Sequence, residues 1–274
     1  MDLACGANNA AMRRGYIDGP FGQLHVREAG RGVPLLLLHQ SPLNGGMFAA
    51  ASAELSANGF HVIAPDTPGY GQSDAPENPV QISAYANCLH SVLNHFGYET
   101  ACILGHHTGA VIAANFAARF GDTVRHLVLN GVPLLSEEER AFFATFKFSP
   151  LDIKADGSHL QAAWEQRLKA SPGWTNLAAM HRYTVDMLAN PERYFWAFDA
   201  VFAHDLATDL AAITCPTTLL TNTGEDLFQA TKRTHAQFPH FGFESLEGGT
   251  HDIVDEQPEA WANKLVRILA SSHP

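Results

Sequence analysis

From residue 15 onward, short apolar runs alternate with longer stretches in which apolar side chains recur every three or four positions. This alternation predicts strands separated by helices, and therefore a mostly parallel sheet. Residues 15–30 alternate apolar and polar around Gly22 and predict two strands, and after a turn the run Val33–Leu38 predicts a central one. Helical spacing over residues 46–60 precedes a strand at 61–64. Another helix is expected over Ile82–Phe96, then a strand at 101–104, a helix at 110–120 and a strand at Val124–Asn130. From 132 to 212 the pattern is helical and rich in aromatics, including Phe142, Phe143, Phe146, Phe148, Trp174, Tyr194, Phe195, Trp196 and Phe198, with no strand signal of comparable quality. Strands return at 217–221 and 241–246. A closing helix over 256–270 carries Trp261, Leu265 and Ile268 on one face.

The domain reading follows from these breaks. Residues 1–14 lack sustained periodicity and read as a mobile leader. Residues 15–131 and 213–274 form one α/β core, and 132–212 an inserted helical cap subdomain that separates its two halves.

At 274 residues with 46% hydrophobic content, the chain can bury one large core. Its net charge of −11 opposes phosphate backbones and anionic lipid, which argues against nucleic acid and membranes and for a small-molecule substrate. A homodimer is compatible with this composition. The longest apolar runs are too short to cross a bilayer and no signal-peptide pattern opens the chain, so a cytoplasmic protein is expected. Cys5, Cys88, Cys102 and Cys215 lack paired spacing and read as free thiols, and no spaced His and Cys set predicts a metal or other cofactor.

The stretch Gly105-His106-His107-Thr108-Gly109 joins a buried strand to an alanine-rich helix. So abrupt a reversal drives its central residue to positive φ, which histidine tolerates better than most non-glycine residues, and the two glycines remove Cβ atoms that would collide. It resembles the G-x-S-x-G nucleophile elbow of the α/β-hydrolase superfamily, with His107 where that family carries serine, aspartate or cysteine. A second resemblance lies in Asp66-Thr67-Pro68-Gly69-Tyr70-Gly71-Gln72-Ser73, similar to the D-x-P-G-x-G-x-S loop of many such proteins; its simplest role is to shape the loop. The likeness covers residues 15–271 and implies an α/β-hydrolase fold, a mostly parallel sheet flanked by helices with an inserted cap.

The resemblance also implies site residues. The catalytic acid of the fold follows a late strand, which assigns Asp226, with Glu225 the nearest substitute; its histidine precedes the last helix, which assigns His251. A carboxylate at Nδ1 of His251 would fix its tautomer and leave Nε2 facing the substrate. The oxyanion hole is expected from the backbone N–H groups of Thr108 and Ser41. The Ser41 hydroxyl has three readings: a donor, a displaced nucleophile, or, most simply, a stabiliser of the turn before Pro42. His39, Gln40 and His106 are expected around the substrate from the core side, and His159, Trp164 and Arg167, recurring at helical spacing, from the cap. An inward Arg167 would suit a carboxylate or enolate.

His107 has three readings: a nucleophile forming an acyl-imidazole, a general base, or a relic in a pocket that only binds. Two neighbouring imidazoles cannot both be comfortably protonated, which supplies a neutral base and favours the second. The expected activity is cofactor-independent hydrolysis of a small, partly aromatic ester, lactone or C–C substrate. The rivals are a lyase or isomerase using both histidines for proton transfer, and a non-catalytic receptor.

Overall fold

Five adjacent strands buried on both faces form the spine of the computed structural model, which describes residues 12–143, 145, 149–171 and 173–270. In chain order they are flanked by β1 (Arg13–Gly19) and β2 (Gly22–Gly30), followed by β3 (Val33–Leu38), α1 (Ala49–Ala57), β4 (Phe60–Pro65), α2 (Ile82–Phe96), β5 (Ala101–His106), α3 (Thr108–Arg119) and β6 (Val124–Asn130). Five helices intervene before the next strand: α4 (Glu137–Phe143), α5 (Ser158–Ala170), α6 (Leu177–Ala189), α7 (Trp196–Ala203) and α8 (Leu206–Ala212). Then come β7 (Thr217–Asn222), α9 (Phe228–Gln237), β8 (Gly242–Leu246), α10 (Ile253–Glu256) and α11 (Pro258–Ala270).

The eight strands run in the order β1-β2-β4-β3-β5-β6-β7-β8, antiparallel only at the β1–β2 and β2–β4 pairings. Because both faces of β3 are covered, its apolar run still obeys the two-residue period. Leu36 and Leu38 join the core layer with Ile112 of α3, and Leu35 and Leu37 join the layer with Phe48 and Trp261. Trp261 is fully buried, stacks on Phe48 at 5.9 Å and donates its Nε1–H to Asn130 Oδ1 at 2.8 Å. The indole thus fills volume without leaving its polar atom unpaired.

Several expectations change. β1 begins at Arg13, so residues 13 and 14 are strand rather than leader; their backbones pair with Glu28 and Arg27, and a ladder of backbone bonds needs no side-chain periodicity. The rest of the expected leader, residues 1–11 with Cys5, lies outside the described residues, as do Phe146, Phe148 and the side chains of Phe142 and Phe143. The closing helix is two helices: Gln257 leaves helical backbone, at φ −133° and ψ 54°, ahead of Pro258, which opens α11. Helix α9 was invisible to an apolar pattern because its buried face holds Thr231 and Thr234, whose hydroxyls donate to the carbonyls four residues earlier.

Cys88 and Cys102 are buried free thiols, and burial pushes their pKa values up to about 12 and about 11. Cys215 is also free and only partly buried. No helix among the described residues is long and apolar enough to cross a membrane.

Candidate active site

The strand-to-helix turn between β5 and α3 holds His107 at φ 50° and ψ −106°, the one non-glycine residue at positive φ among those described. The turn is tight enough that a Cβ on Gly105 would stand 2.1 Å from Gly109 O, and one on Gly109 would stand 2.2 Å from Leu38 O. Glycine is therefore required at both places by close backbone approach. The turn lifts the His107 side chain over the C-terminal ends of the strands, into a cavity of about 240 Å³.

His107 Nε2 lies 2.8 Å from Oε2 of Glu225, whose side chain is fully buried. The other oxygen, Oε1, accepts from Thr221 Oγ1 and from the Asn222 N–H at 3.3 Å. Both carboxylate oxygens thus receive donors, which assigns the His107 proton to Nε2 and, in the neutral ring, a lone pair to Nδ1. Nδ1 has no hydrogen-bond partner among the described residues, and the ring lines the cavity. Burial opposes charging this ring, but the hydrogen bond and charge of Glu225, helped by Asp226 and Asp252, outweigh it and raise the pKa above its ordinary 6.5.

Room for the pair comes from Gly131, just beyond β6, at φ 67°. A Cβ there would meet His107 Cδ2 at 2.3 Å, His107 Nε2 at 2.5 Å and Glu225 Oε2 at 2.8 Å.

The expected Asp226–His251 dyad is not formed. Asp226 is exposed at the cavity wall and makes no hydrogen bond or ion pair with any described residue, while Glu225, the next residue back, turns inward and takes the carboxylate role at His107. One step along a turn reverses which side chain faces the interior, so residue type alone could not choose between the two. His251 Nε2 lies 3.3 Å from both Arg167 Nη1 and Asp252 Oδ2, so the carboxylate beside it is that of its chain neighbour. Burial lowers the His251 pKa; Asp252 opposes this, and His107 and Arg167 add to it.

Arg167 comes from the last turn of α5 and is 2% exposed. Its Nη2 pairs with Asp252 Oδ2, its Nη1 reaches Ser171 Oγ at 3.1 Å, and its guanidinium lies 4.0 Å from the Tyr183 ring centroid. Asp252 also accepts from Gln40 Nε2 at 3.0 Å and Ser171 Oγ at 2.9 Å. Burial opposes its charge, yet His251, Arg167 and Ser171 together hold its carboxyl below the usual range. The expected substrate carboxylate at Arg167 therefore meets an occupied guanidinium.

Gln40, Ser41, Thr108, His107, Arg167, Asp226 and His251 are brought to one cavity, but His39, His106, His159 and Trp164 do not line it. His39 receives the Thr67 N–H at Nε2 and donates from Nδ1 to Gln40 O, both at 2.9 Å, so its two nitrogens brace loops. His106 is fully buried; it stacks under His107 at 4.1 Å and donates from Nε2 to the His251 carbonyl at 2.9 Å. His159 lies eight residues before Arg167, about 12 Å along the helix axis, and accepts the Lys154 N–H. Trp164, three residues before Arg167 on α5, is half-buried outside the lining, and Gln166, Tyr183, Met187, Tyr194 and Phe198 complete the wall, none singled out as ligands by a pattern that also serves packing.

The Ser41 N–H reaches Thr108 Oγ1 at 3.4 Å, a long bond that a stronger acceptor could displace, and Thr108 opens α3, where N–H groups lack carbonyls of their own helix. No imidazole is hydrogen-bonded to the Ser41 hydroxyl among the described residues. In the Asp66–Ser73 loop, Asp66 is buried and accepts from His25, Arg27, Gly45 and Gln72, which gives this carboxylate a shaping role. No three His, Cys, Asp or Glu side chains among the described residues are placed to hold a metal ion.

Known proteins share parts of this plan. The chain is 32% identical over 136 residues to a soluble epoxide hydrolase of Corynebacterium sp. (strain C12), covering 49% of this chain and 45% of that one. It is 39% identical over 103 residues to an uncharacterised Mycobacterium tuberculosis protein, covering 38% of this chain and 30% of the other. The matched segment thus spans less than half the length of either relative. The crystal structure of epoxide hydrolase A from Mycobacterium thermoresistibile superposes with a TM-score of 0.77 over 94% of this chain and 98% of that one at 19% identity, a likeness of fold. The sequence profile of the alpha/beta hydrolase fold matches residues 33–201, more than half the chain, and the chain belongs to that family.

Proposed function

We propose that the protein is a cofactor-independent hydrolase of a small, partly aromatic ester, lactone or C–C substrate, with His107 as its base and helices α4–α8 as a cap over the site. The observation that carries this reading is the His107–Glu225 pair at the elbow, with Nδ1 left open to the cavity. Family membership and the named epoxide hydrolase relative support the reaction class.

For an ester, Nδ1 takes a proton from water as the water oxygen bonds to the acyl carbon. The carbonyl electron pair moves onto oxygen, where the Thr108 and Ser41 N–H groups receive it. Collapse of the tetrahedral species breaks the bond to the leaving alkoxide, which takes the proton back from Nδ1. Glu225 offsets the imidazolium charge between these steps, the part a carboxylate plays toward a catalytic histidine.

A second reading, proton transfer in a lyase or isomerase, is favoured by one arrangement: the His107 and His251 rings lie 6.0 Å apart, with pKa values displaced in opposite directions. The deciding experiment measures activated aryl ester and lactone hydrolysis by wild type, His107→Ala and Glu225→Gln above a free-imidazole background, with intact mass after rapid quench. Turnover lost in His107→Ala without an acyl adduct supports the base; an adduct on His107 would make it the nucleophile. No wild-type rate above imidazole would overturn the esterase and lactonase reading, and solvent deuterium entering substrate without cleavage would favour the second.

A further inference from the structure

Of the three carboxylates within or directly behind the cavity wall, two are already matched. Glu225 faces His107 and Asp252 faces Arg167, while Asp226 stands at the wall, exposed, with no hydrogen bond or ion pair to any described residue. Even with His107 protonated, these groups keep one uncompensated negative charge. The terminal nitrogens of the guanidinium that could welcome an anion are taken: Nη1 and Nη2 go to Ser171, His251 and Asp252, and Nε, which has no partner among the described residues, is buried.

The rest of the wall suits a cation with an apolar surface. Tyr194, Phe198 and Met187 line the same cavity, and aromatic faces attract alkylammonium groups, most of all where water is partly excluded. Over the whole chain, 28 acidic residues against 17 basic ones add a field of the same sign.

We propose that Asp226 is a specificity-determining residue that selects substrates carrying an amine or quaternary ammonium group and rejects anionic ones. This rests on the hydrolase reading for its reaction but not for its binding. The reacting carbonyl lies at His107, Thr108 and Ser41, and the cationic end lies toward Asp226.

Two measurements test it, one without turnover. Calorimetric binding of phenyltrimethylammonium should be about tenfold weaker in Asp226→Asn than in wild type, the order expected for one charge pair at a partly wet site. Hydrolysis of butyrylcholine should exceed that of its neutral isostere, 3,3-dimethylbutyl butyrate, by about tenfold in kcat/KM, with a ratio near one in Asp226→Asn and below one in Asp226→Lys. Thermal melts would confirm that the variants fold. Asp226-dependent binding of the cation with no ester turnover would support this proposal while the hydrolase reading failed. Ester turnover with no cation preference would overturn it while that reading stood, and a preference that persisted in Asp226→Asn would overturn the assignment to Asp226.

Discussion

Two buried pairs of the site, His107 with Glu225 and Arg167 with Asp252, use the same chemistry to opposite ends. Each sets a nitrogen donor against a carboxylate taken almost wholly out of water. Around Arg167, Ser171, His251 and Gln40 consume the groups facing the site, and the pair joins α5 to the loop before α10. At His107 the carboxylate consumes one ring nitrogen and leaves the other facing the cavity. A polar pair can react only where its geometry leaves an atom over; with the atoms facing the site paired, it holds elements together.

The largest expected effect breaks the reactive pair. His107→Ala should lower kcat/KM for an activated ester by about 10²–10⁴-fold, the span of a general base, with the melting temperature reporting that the fold persists. Breaking the closed pair should show instead in stability: Arg167→Met leaves Asp252 buried and unpaired and should cost about 3–5 kcal/mol in urea unfolding. Adding Asp252→Leu should recover part of that loss, because the stranded charge is then gone. Failure to recover would mean that Arg167 acts through its packing on Tyr183 rather than through the ion pair.

A smaller effect is expected from Gly131→Ala, whose methyl would enter the space of both partners of the reactive pair. Displacing the ring should cost about 1–3 kcal/mol of stability and lower kcat/KM, and would leave the Arg167 pair unaffected.

The finest test is pH. A general base works neutral, so the proposed role of His107 puts the acidic limb of kcat/KM above the ordinary histidine value of 6.5, and Glu225→Gln should move it lower. In stability the sign is opposite. A raised folded-state pKa contributes stability that is fully present below the unfolded value and fades as pH rises through the folded one. A wild-type limb below 6.5 would contradict the assignment.

Much of the fold was legible because burial on both faces writes apolar runs into β3, β4 and β5, and because glycine spacing at the elbow reflects backbone contact that no other residue permits. The site was legible in part. His107, His251, Thr108 and Ser41, expected from their place in the chain, line one cavity, whereas Asp226 and Glu225 are adjacent and chemically alike.

What the sequence by itself determined is therefore the order of strands and helices, the tight turn at His107 and the loops that supply polar groups, all set by local spacing and backbone sterics. Only the tertiary structure decided that Glu225 rather than Asp226 meets the elbow imidazole, that Arg167 from α5 is taken by Asp252, and that Gly131 leaves them room. These are contacts between segments far apart in the chain. Their outcome turns on which way a side chain faces at a single residue, and that direction is set by the packing of the whole molecule.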